Sequence, residues 1–447
     1  MLSRLTRLFA TGEDAPPIEE PEKVKALYES KRTSVFYSLV LGYGFFYTTR
    51  LSLSVAKKGM VDSGVLELDQ LGVIGACLLY TYAFGKFFNG FLSDRANIAR
   101  FMSTALLLSA VVNVLFGMTN LFWVFALLWA LNGWFQSVGS APSVVSLCQW
   151  FSHKERGTRY GIWAGAHNIG EGLTFVGTSV LVSYWGWRWG FLGPGLVCVA
   201  VALILSRTLA DRPQTYGLPP VSEYRGDDSA GPAKKGPLKE MQLLVLKSPV
   251  VWILGLSSSF MYVTRYAIHS WGPLYLQTAK GYEAVEAGVL IGANTLMGLA
   301  GAACSGLLSD RFFNSRRNVP TLLYGLLLTG SLVALYLIPP GHRNLDLAAL
   351  AAFEFAIGGL VVFLAGLTAV DLMPVRAAGA VKGTIGLMSY LGAATQDWVS
   401  GLLLKAGESE VAGQAVINFD YAFAFWIGAS ILSMVLATFV WNIKPED

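Results

Sequence analysis

The chain reads as an all-α membrane protein whose twelve transmembrane helices form two pseudo-symmetric six-helix halves. Three observations predict this. Hydrophobic residues make up 54% of the 447 positions and charged residues only 14%, a balance that suits lipid as solvent better than a large water-soluble core. Twelve stretches of roughly 20 or more mostly apolar residues can be marked, each long enough as a helix to cross about 30 Å of hydrocarbon. Short motifs recur at a nearly constant offset, the mark of an internal duplication.

Taken in order, residues 1–32 alternate basic, acidic and proline residues without the apolar core of a signal peptide, and are expected to form a cytoplasmic tail. The first half, 33–206, holds spans at about 33–56, 69–92, 101–119, 121–146, 158–184 and 187–206. Residues 207–248 change to Pro, Gly, Asp and Lys, a cytoplasmic linker. The second half, 249–442, holds spans at about 249–276, 284–308, 319–338, 346–371, 378–404 and 419–442, and 443–447 is a short cytoplasmic tail. Abundant glycine, 48 residues, suits helices that approach closely.

The halves echo one another. Gly90-Phe-Leu-Ser-Asp-Arg95 returns as Gly306-Leu-Leu-Ser-Asp-Arg311 at an offset of 216, and Thr49-Arg50 returns as Thr264-Arg265 at 215. Gly157-Thr-Arg-Tyr-Gly161 pairs with Gly379-Ala-Val-Lys-Gly383 at 222. In the first motif, Asp94 and Asp310 can accept from backbone donors at the next helix start, and Arg95 and Arg311 can bridge a neighbouring helix end. They are expected to latch the cytoplasmic side.

With both termini cytoplasmic, the outer loops hold only Lys57, Lys58, Arg188, Lys280, Arg343 and Lys405 of the 33 Lys and Arg, a bias that orients the protein. Nucleic-acid binding is then unnecessary to explain the charge. Cys77, Cys148, Cys198 and Cys304 lie in or beside apolar runs without metal-ligand spacing and read as packing residues. Walker loop, zinc spacing and nucleophile elbow are all missing, so the chain reads as a gradient-driven carrier without cofactor rather than an enzyme.

Arg50, Lys86 and Arg265 lie deep in apolar spans, where each costs roughly 2.5 to 3.5 kcal/mol unless it faces a polar interior. Helical spacing extends the polar surface around them. Ser258, Tyr262, Arg265 and His269 form one stripe on span seven, Tyr43, Tyr47 and Arg50 on span one, and Trp163, His167, Glu171 and Thr174 on span five. Asn132, Gln136, Ser140 and Ser143 form another on span four. All four are expected to face a central wet cavity. Its natural occupant is an oxyanion, held bidentately by two guanidiniums from opposite halves, with Lys86 as a point charge and His167 as a titratable donor.

The Gly-x-x-Ser-Asp-Arg loop, helix count and linker position resemble the major facilitator superfamily and its fold. Phe46-Tyr-Thr-Thr-Arg50, Phe84-Gly-Lys86-Phe, Leu92-Ser-Asp-Arg-Ala-Asn97, Ala166-His-Asn-Ile-Gly170 and Tyr262-Val-Thr-Arg265 are similar to motifs of its organophosphate:phosphate antiporters, nearest to the hexose-phosphate transporter and sensor branch and similar also to glycerol-3-phosphate transporters. Asp211-Arg-Pro-Gln-Thr-Tyr-Gly-Leu-Pro219 also looks family-like. The resemblance implies phosphate binding by Arg50 and Arg265, assisted by Lys86 and His167. The chain departs from the pattern at Glu171 and at Ala-Ile-His269-Ser270.

The expected function is a multi-pass bacterial inner-membrane antiporter, working as a monomer in the bilayer, that exchanges a phosphate ester such as a hexose phosphate for inorganic phosphate by rocker-switch alternating access. Tyr47, Tyr262, His269 and Asp397 join the expected substrate surface, Asp397 toward sugar hydroxyls. Glu171 is expected to pair with His167 or Lys86 or to carry a proton, and Glu354 to be a structural partner. Mutual repulsion of Arg50 and Arg265 would hold the empty carrier open. Two alternatives stay open: a sensor of sugar phosphate with the same fold that signals to a histidine kinase, and a proton-coupled symporter of another organic anion.

Overall fold

The computed structural model describes residues 9–93, 95–226, 243, 245–313, 317–364, 368, 378–411 and 414–441. The first half contains α1 (Pro21–Thr48), α2 (Ser52–Asp62), α3 (Leu68–Ser93), α4 (Ile98–Met118), α5 (Phe122–Gln136), α6 (Ala141–Trp150), α7 (His153–Trp185) and α8 (Trp189–Thr208). A 3-10 turn, Pro213–Tyr216, and the short α9 (Val221–Arg225) follow. The second half contains α10 (Pro249–Thr278), α11 (Ala284–Phe312), α12 (Asn318–Leu337), α13 (Arg343–Val362), α14 (Ala378–Ala406) and α15 (Asp420–Thr438).

Among the described residues, seven helices are long and apolar enough to cross a membrane by composition alone: α3, α4, α8, α11, α12, α13 and α15. The spans that fall short are one, four, five, seven and eleven. These are the spans that carry Arg50, the Asn132 stripe, His167 with Glu171, Arg265 with His269, and Asp397. Polarity is therefore concentrated in the helices around one interior surface, as expected where polar groups must find protein or water rather than lipid.

Two spans expected to be continuous are broken. Span one is α1 followed, after Thr49, Arg50 and Leu51, by α2. It also begins earlier than expected, at Pro21, because proline suits the first helical turn and Glu22 complements its dipole. Span four breaks between Gln136 and Ala141, and α6 restarts with Pro142 in its first turn. A small antiparallel hairpin, β1 (Glu408–Val411) with β2 (Gln414–Ile417), joins α14 to α15 and was not anticipated from the sequence.

The halves meet closely along α3 with α14 and α7 with α11. Gly75 is required at the first contact, where a Cβ would stand 2.0 Å from Asp397 Oδ2, and Gly288 at the second, where it would stand 1.9 Å from Ser179 Oγ. Hydrogen bonds and ion pairs between described residues of the two halves lie at the level of Arg50 or toward the face that bears the hairpin and the α10–α11 turn, here the loop face. They include Tyr80 to Thr395 at 3.2 Å, Thr295 to the Asn168 carbonyl at 3.2 Å and Lys405 to Glu67 at 3.1 Å.

On the opposite face, where α1 begins and α15 ends, residues 9–18 run as a strap along the first half. Asn97 N donates to the Phe9 carbonyl at 2.7 Å, Gly12 N to Asp211 Oδ2 at 3.0 Å and Ile18 N to the Gly217 carbonyl at 3.0 Å. Asp211 Oδ2 also takes Asn97 Nδ2 at 3.1 Å, and its carbonyl takes Trp150 Nε1 at 2.8 Å. The family-like Asp211–Pro219 segment is thus a structural joint between strap, linker and first half. Most of the remaining linker and residues 442–447 lie outside the described residues.

Candidate functional site

Arg50 is placed by the break between α1 and α2. Helix termination at Thr48 frees carbonyls that lipid could not satisfy. The neighbouring helices meet that need: the Thr49 carbonyl accepts from Asn132 Nδ2 at 2.8 Å and Asn113 Nδ2 at 3.1 Å. Gln136 Nε2 donates to Thr49 Oγ1 at 2.8 Å and Ser109 Oγ at 2.9 Å, and Ser109 donates to Asn132 Oδ1 at 2.6 Å. The span-four stripe therefore does not line a wet cavity through Asn132 and Gln136. Both are buried and clamp the break, and Ser143 turns to Met102 and the Gly139 carbonyl.

The exposed direction of that break is filled by the Arg50 guanidinium. It is 5% exposed, donates to Tyr266 Oη at 2.7 Å, and lies 4.2 Å from the Tyr82 ring centre, 5.4 Å from Tyr47 and 5.5 Å from Tyr390. Among the described residues it has no carboxylate partner, and its Nε has no hydrogen bond. Ring faces and a phenol attract a cation, but far less than an anion does.

Arg265, its counterpart on α10, is treated differently. Its guanidinium pairs with Glu171 Oε1 at 3.3 Å and lies 5.8 Å from the Tyr262 ring, with Nε again unpartnered among the described residues. Glu171 Oε1 also faces His269 Nδ1 at 3.9 Å, while His269 Nε2 meets Glu354 Oε1 at 2.8 Å. Three expectations change. Glu171 does not pair with His167 or Lys86, because α7 turns it toward α10. Mutual repulsion of two bare arginines does not describe this interior, because Glu171 already neutralises Arg265. His269 is engaged between two acids, and Glu354 is its partner.

Lys86 extends toward Tyr390, with Nζ 5.3 Å from the ring centre, and has no acid partner among the described residues. His167 is half-buried, its Nδ1 bound to the Ala164 carbonyl and its ring 5.6 Å from that of Tyr47. A carbonyl can only accept, so Nδ1 carries the proton and Nε2 is the atom left for a ligand. Tyr43 stacks on Trp163 at 4.4 Å, and the buried indole N–H of Trp163 has no hydrogen-bond partner among the described residues. Tyr262 packs against Tyr390 at 5.3 Å.

Asp397 is not free for sugar hydroxyls. Its Oδ1 takes Ser270 Oγ at 2.5 Å and Lys57 Nζ at 3.4 Å. Lys57, expected in an outer loop, is completely buried, as α2 turns it inward after the break. Lys280, also expected outside, is buried against Asp346 at 3.0 Å, with Tyr282 Oη donating to the same carboxylate at 2.8 Å. A small cavity beyond Arg50 is lined by Ser54, Gly75, Trp129, His269, Ser270 and Asp397. Arg95 and Arg311 are exposed on the terminal face, Asp94 lies outside the described residues, and so does the Asp310 side chain.

Sequence reading missed Tyr82, Tyr266 and Tyr390. Tyr82 stands one turn before Lys86 and Tyr390 two turns before Asp397, spacings that could have found them. Tyr266 follows Arg265 directly and so falls off the helical stripe. Together the interior offers two guanidiniums, an ammonium, an imidazole and several phenols, and among the described residues Glu171 is the acid that pairs with one of these guanidiniums. Such a surface has the chemistry to hold a multiply charged oxyanion through short charge-assisted hydrogen bonds.

Residues 39–395 match the family described as Major Facilitator Superfamily. The chain is 35% identical over 400 residues to membrane sensor protein UhpC of Salmonella typhimurium, covering 88% of this chain and 90% of that one. It is 34% identical over 460 residues to a probable hexose phosphate transport protein of Chlamydia trachomatis, covering 99% and 98%. To the glycerol-3-phosphate transporter of Bacillus subtilis it is 32% identical over 445 residues, covering 96% and 97%. In fold it is similar to the crystal structure of a bacterial homolog of the human lysosomal transporter Spinster, with a TM-score of 0.74 at 16% identity over 92% of this chain and 96% of that one.

Proposed function

The chain belongs to the major facilitator superfamily, a family of membrane transporters rather than enzymes, and from that premise we propose that it carries a phosphate ester across a bacterial inner membrane in exchange for inorganic phosphate. The ester is a sugar phosphate of the hexose phosphate kind, and the terminal face is cytoplasmic. The observation that carries the reading is Arg50: a buried guanidinium with no carboxylate partner among the described residues and an unsatisfied Nε. A cation kept in lipid without a resident counter-charge is kept for an anion that comes and goes.

On this reading the phosphate group binds Arg50 from the first half and Arg265 from the second, displacing the Tyr266 phenol from one and Glu171 from the other. Lys86 adds a charge, and His167, once protonated, adds a hydrogen bond from Nε2. Tyr43, Tyr47, Trp163 and Tyr262 surround the organic portion, and the unpaired Trp163 indole N–H is available to a hydroxyl. One anion gripping both halves favours the rocking movement that exposes the site to the other side. Arg50 and Lys86, left bare when the anion departs, disfavour closure of the empty protein, and this asymmetric residual charge supports exchange. The exposed Arg95 and Arg311, with Asp94 and Asp310, are proposed to hold the cytoplasmic side in its closed state.

The test is exchange from liposomes loaded with radiolabelled phosphate against external hexose phosphates, glycerol phosphate and phosphoglycerate. Efflux stimulated by a phosphate ester supports the proposal. Absence of stimulated efflux, with ester binding retained, favours a second reading, a sugar-phosphate sensor; the likeness to membrane sensor protein UhpC supports a sensor role.

A further inference from the structure

Glu171, His269 and Glu354 form a buried chain of carboxylate, imidazole and carboxylate that crosses between the halves. Its contacts are 3.9 Å from Glu171 Oε1 to His269 Nδ1 and 2.8 Å from His269 Nε2 to Glu354 Oε1, and all three side chains are at most 5% exposed. Glu171 comes from α7, His269 from α10 and Glu354 from α13. Holding a phosphate needs none of this. One end of the chain competes with it, since Glu171 Oε1 occupies the Arg265 guanidinium at 3.3 Å.

We propose that this chain is a proton site, loaded when a phosphate group displaces Glu171 from Arg265, so that each bound phosphate draws one proton into the interface. The inference rests on the phosphate reading above. Two anions compete for one guanidinium, and the dianion, which also engages Arg50, prevails. Glu171 is then a buried carboxylate beside a dianion and without its strongest partner, and a buried charge in that position is neutralised by protonation.

Other neighbours do not rescue its charge. Besides Arg265, the groups facing Glu171 are His269 on α10, His167 on its own helix and Arg50 at the α1–α2 break. Arg50 and His167 Nε2 are taken by the phosphate, and His269 is already shared with Glu354. Lys57 on α2 is committed to Asp397 on α14 and Ser270. At this level α11 meets α7 through Gly292 and Thr295.

The step is balanced: one solvent proton becomes the O–H of a carboxylic acid as phosphate binds, and leaves again when phosphate departs and Arg265 recovers Glu171. His269 can pass the proton between the two carboxylates, since each of its nitrogens faces one. Anion and proton therefore move in the same direction through each half of the cycle.

Calorimetry tests this. Inorganic phosphate is titrated into the purified full-length protein at one pH in two buffers of different ionisation heat, which yields protons taken up per phosphate bound. The ionisation of phosphate itself contributes equally to wild type and variant. The expected result is that the wild type takes up about one proton more than Glu171→Gln, with binding retained. Equal uptake, with both proteins binding phosphate, overturns the proton site and leaves the phosphate reading standing. No phosphate binding by the folded wild type overturns both. Should Glu171→Gln fail to fold, Glu171→Ala is measured in the same way, and uptake equal to wild type there overturns the proposal.

Discussion

Lys57 Nζ lies 3.4 Å from Asp397 Oδ1, with both side chains buried, and ties α2 of the first half to α14 of the second. Ser270 Oγ bridges them, taking the ammonium at 2.8 Å and donating to the carboxylate at 2.5 Å, and the Trp271 ring lies 3.4 Å from the ammonium. The pair stands on the loop-face side of Arg50, between the two halves. In the proposed cycle it must part whenever the site opens toward the loop face.

Removing one partner should therefore favour that opening. Lys57→Met leaves Asp397 buried without its counter-charge, at a cost of about 3 to 5 kcal/mol to the closed arrangement. Ser54→Cys, in a background without other cysteines, should react with an impermeant maleimide at least about tenfold faster when Lys57 is also replaced. An unchanged rate would mean that the pair does not hold the loop face shut.

Glu171 competes with any anion for Arg265. Glu171→Gln should tighten inorganic phosphate binding by about tenfold, equivalent to roughly 1.4 kcal/mol. Weaker binding by the folded variant, measured by titration calorimetry, would show that Glu171 positions Arg265 rather than opposing the ligand.

The position of Arg50 depends on the clamp around Thr49. Asn132→Leu removes the 2.8 Å hydrogen bond to the Thr49 carbonyl and also leaves the Ser109 hydroxyl without its acceptor. The Thr49 carbonyl keeps Asn113 Nδ2, so the cost is that of the lost Ser109 acceptor, about 1 to 3 kcal/mol. A lower melting temperature together with weaker phosphate binding is expected. A lower melting temperature with unchanged binding would separate the clamp from the site.

Asp211 organises the strap on the terminal face, and Gly217, with φ of 70°, turns there against the Pro16 carbonyl. Asp211→Ala should free residues 10–18, raising their amide hydrogen exchange while leaving that of α10 unchanged. Exchange in 10–18 identical to wild type would assign the hold on the strap to Arg212 and Asp14, which pair at 2.7 Å.

How much of this was legible differs residue by residue. Arg50 and Arg265 stood out because a cation in an apolar run is costly and because they repeat. The break at Thr49 was hidden: Tyr-Thr-Thr-Arg contains no proline or glycine, and the groups that make a break tolerable come from α4 and α5. For the same reason the Asn132 stripe looked like a cavity wall, since helical spacing says which residues share a face but not what that face meets. Lys57 and Lys280 read as loop residues because their acids, Asp397 and Asp346, are distant in sequence and appear only when the helices are packed. Glu171 was visible as an anomaly, but its partner depended on how α7 turns toward α10.

The central claim, that Arg50 is the anchor for a transported phosphate, is tested most directly by phosphate self-exchange in liposomes containing wild type or Arg50→Ala. Loss of a charge-assisted anchor worth about 3 kcal/mol or more should slow exchange by at least roughly 100-fold while the variant keeps its native elution and melting profile. Exchange near the wild-type rate would contradict the account.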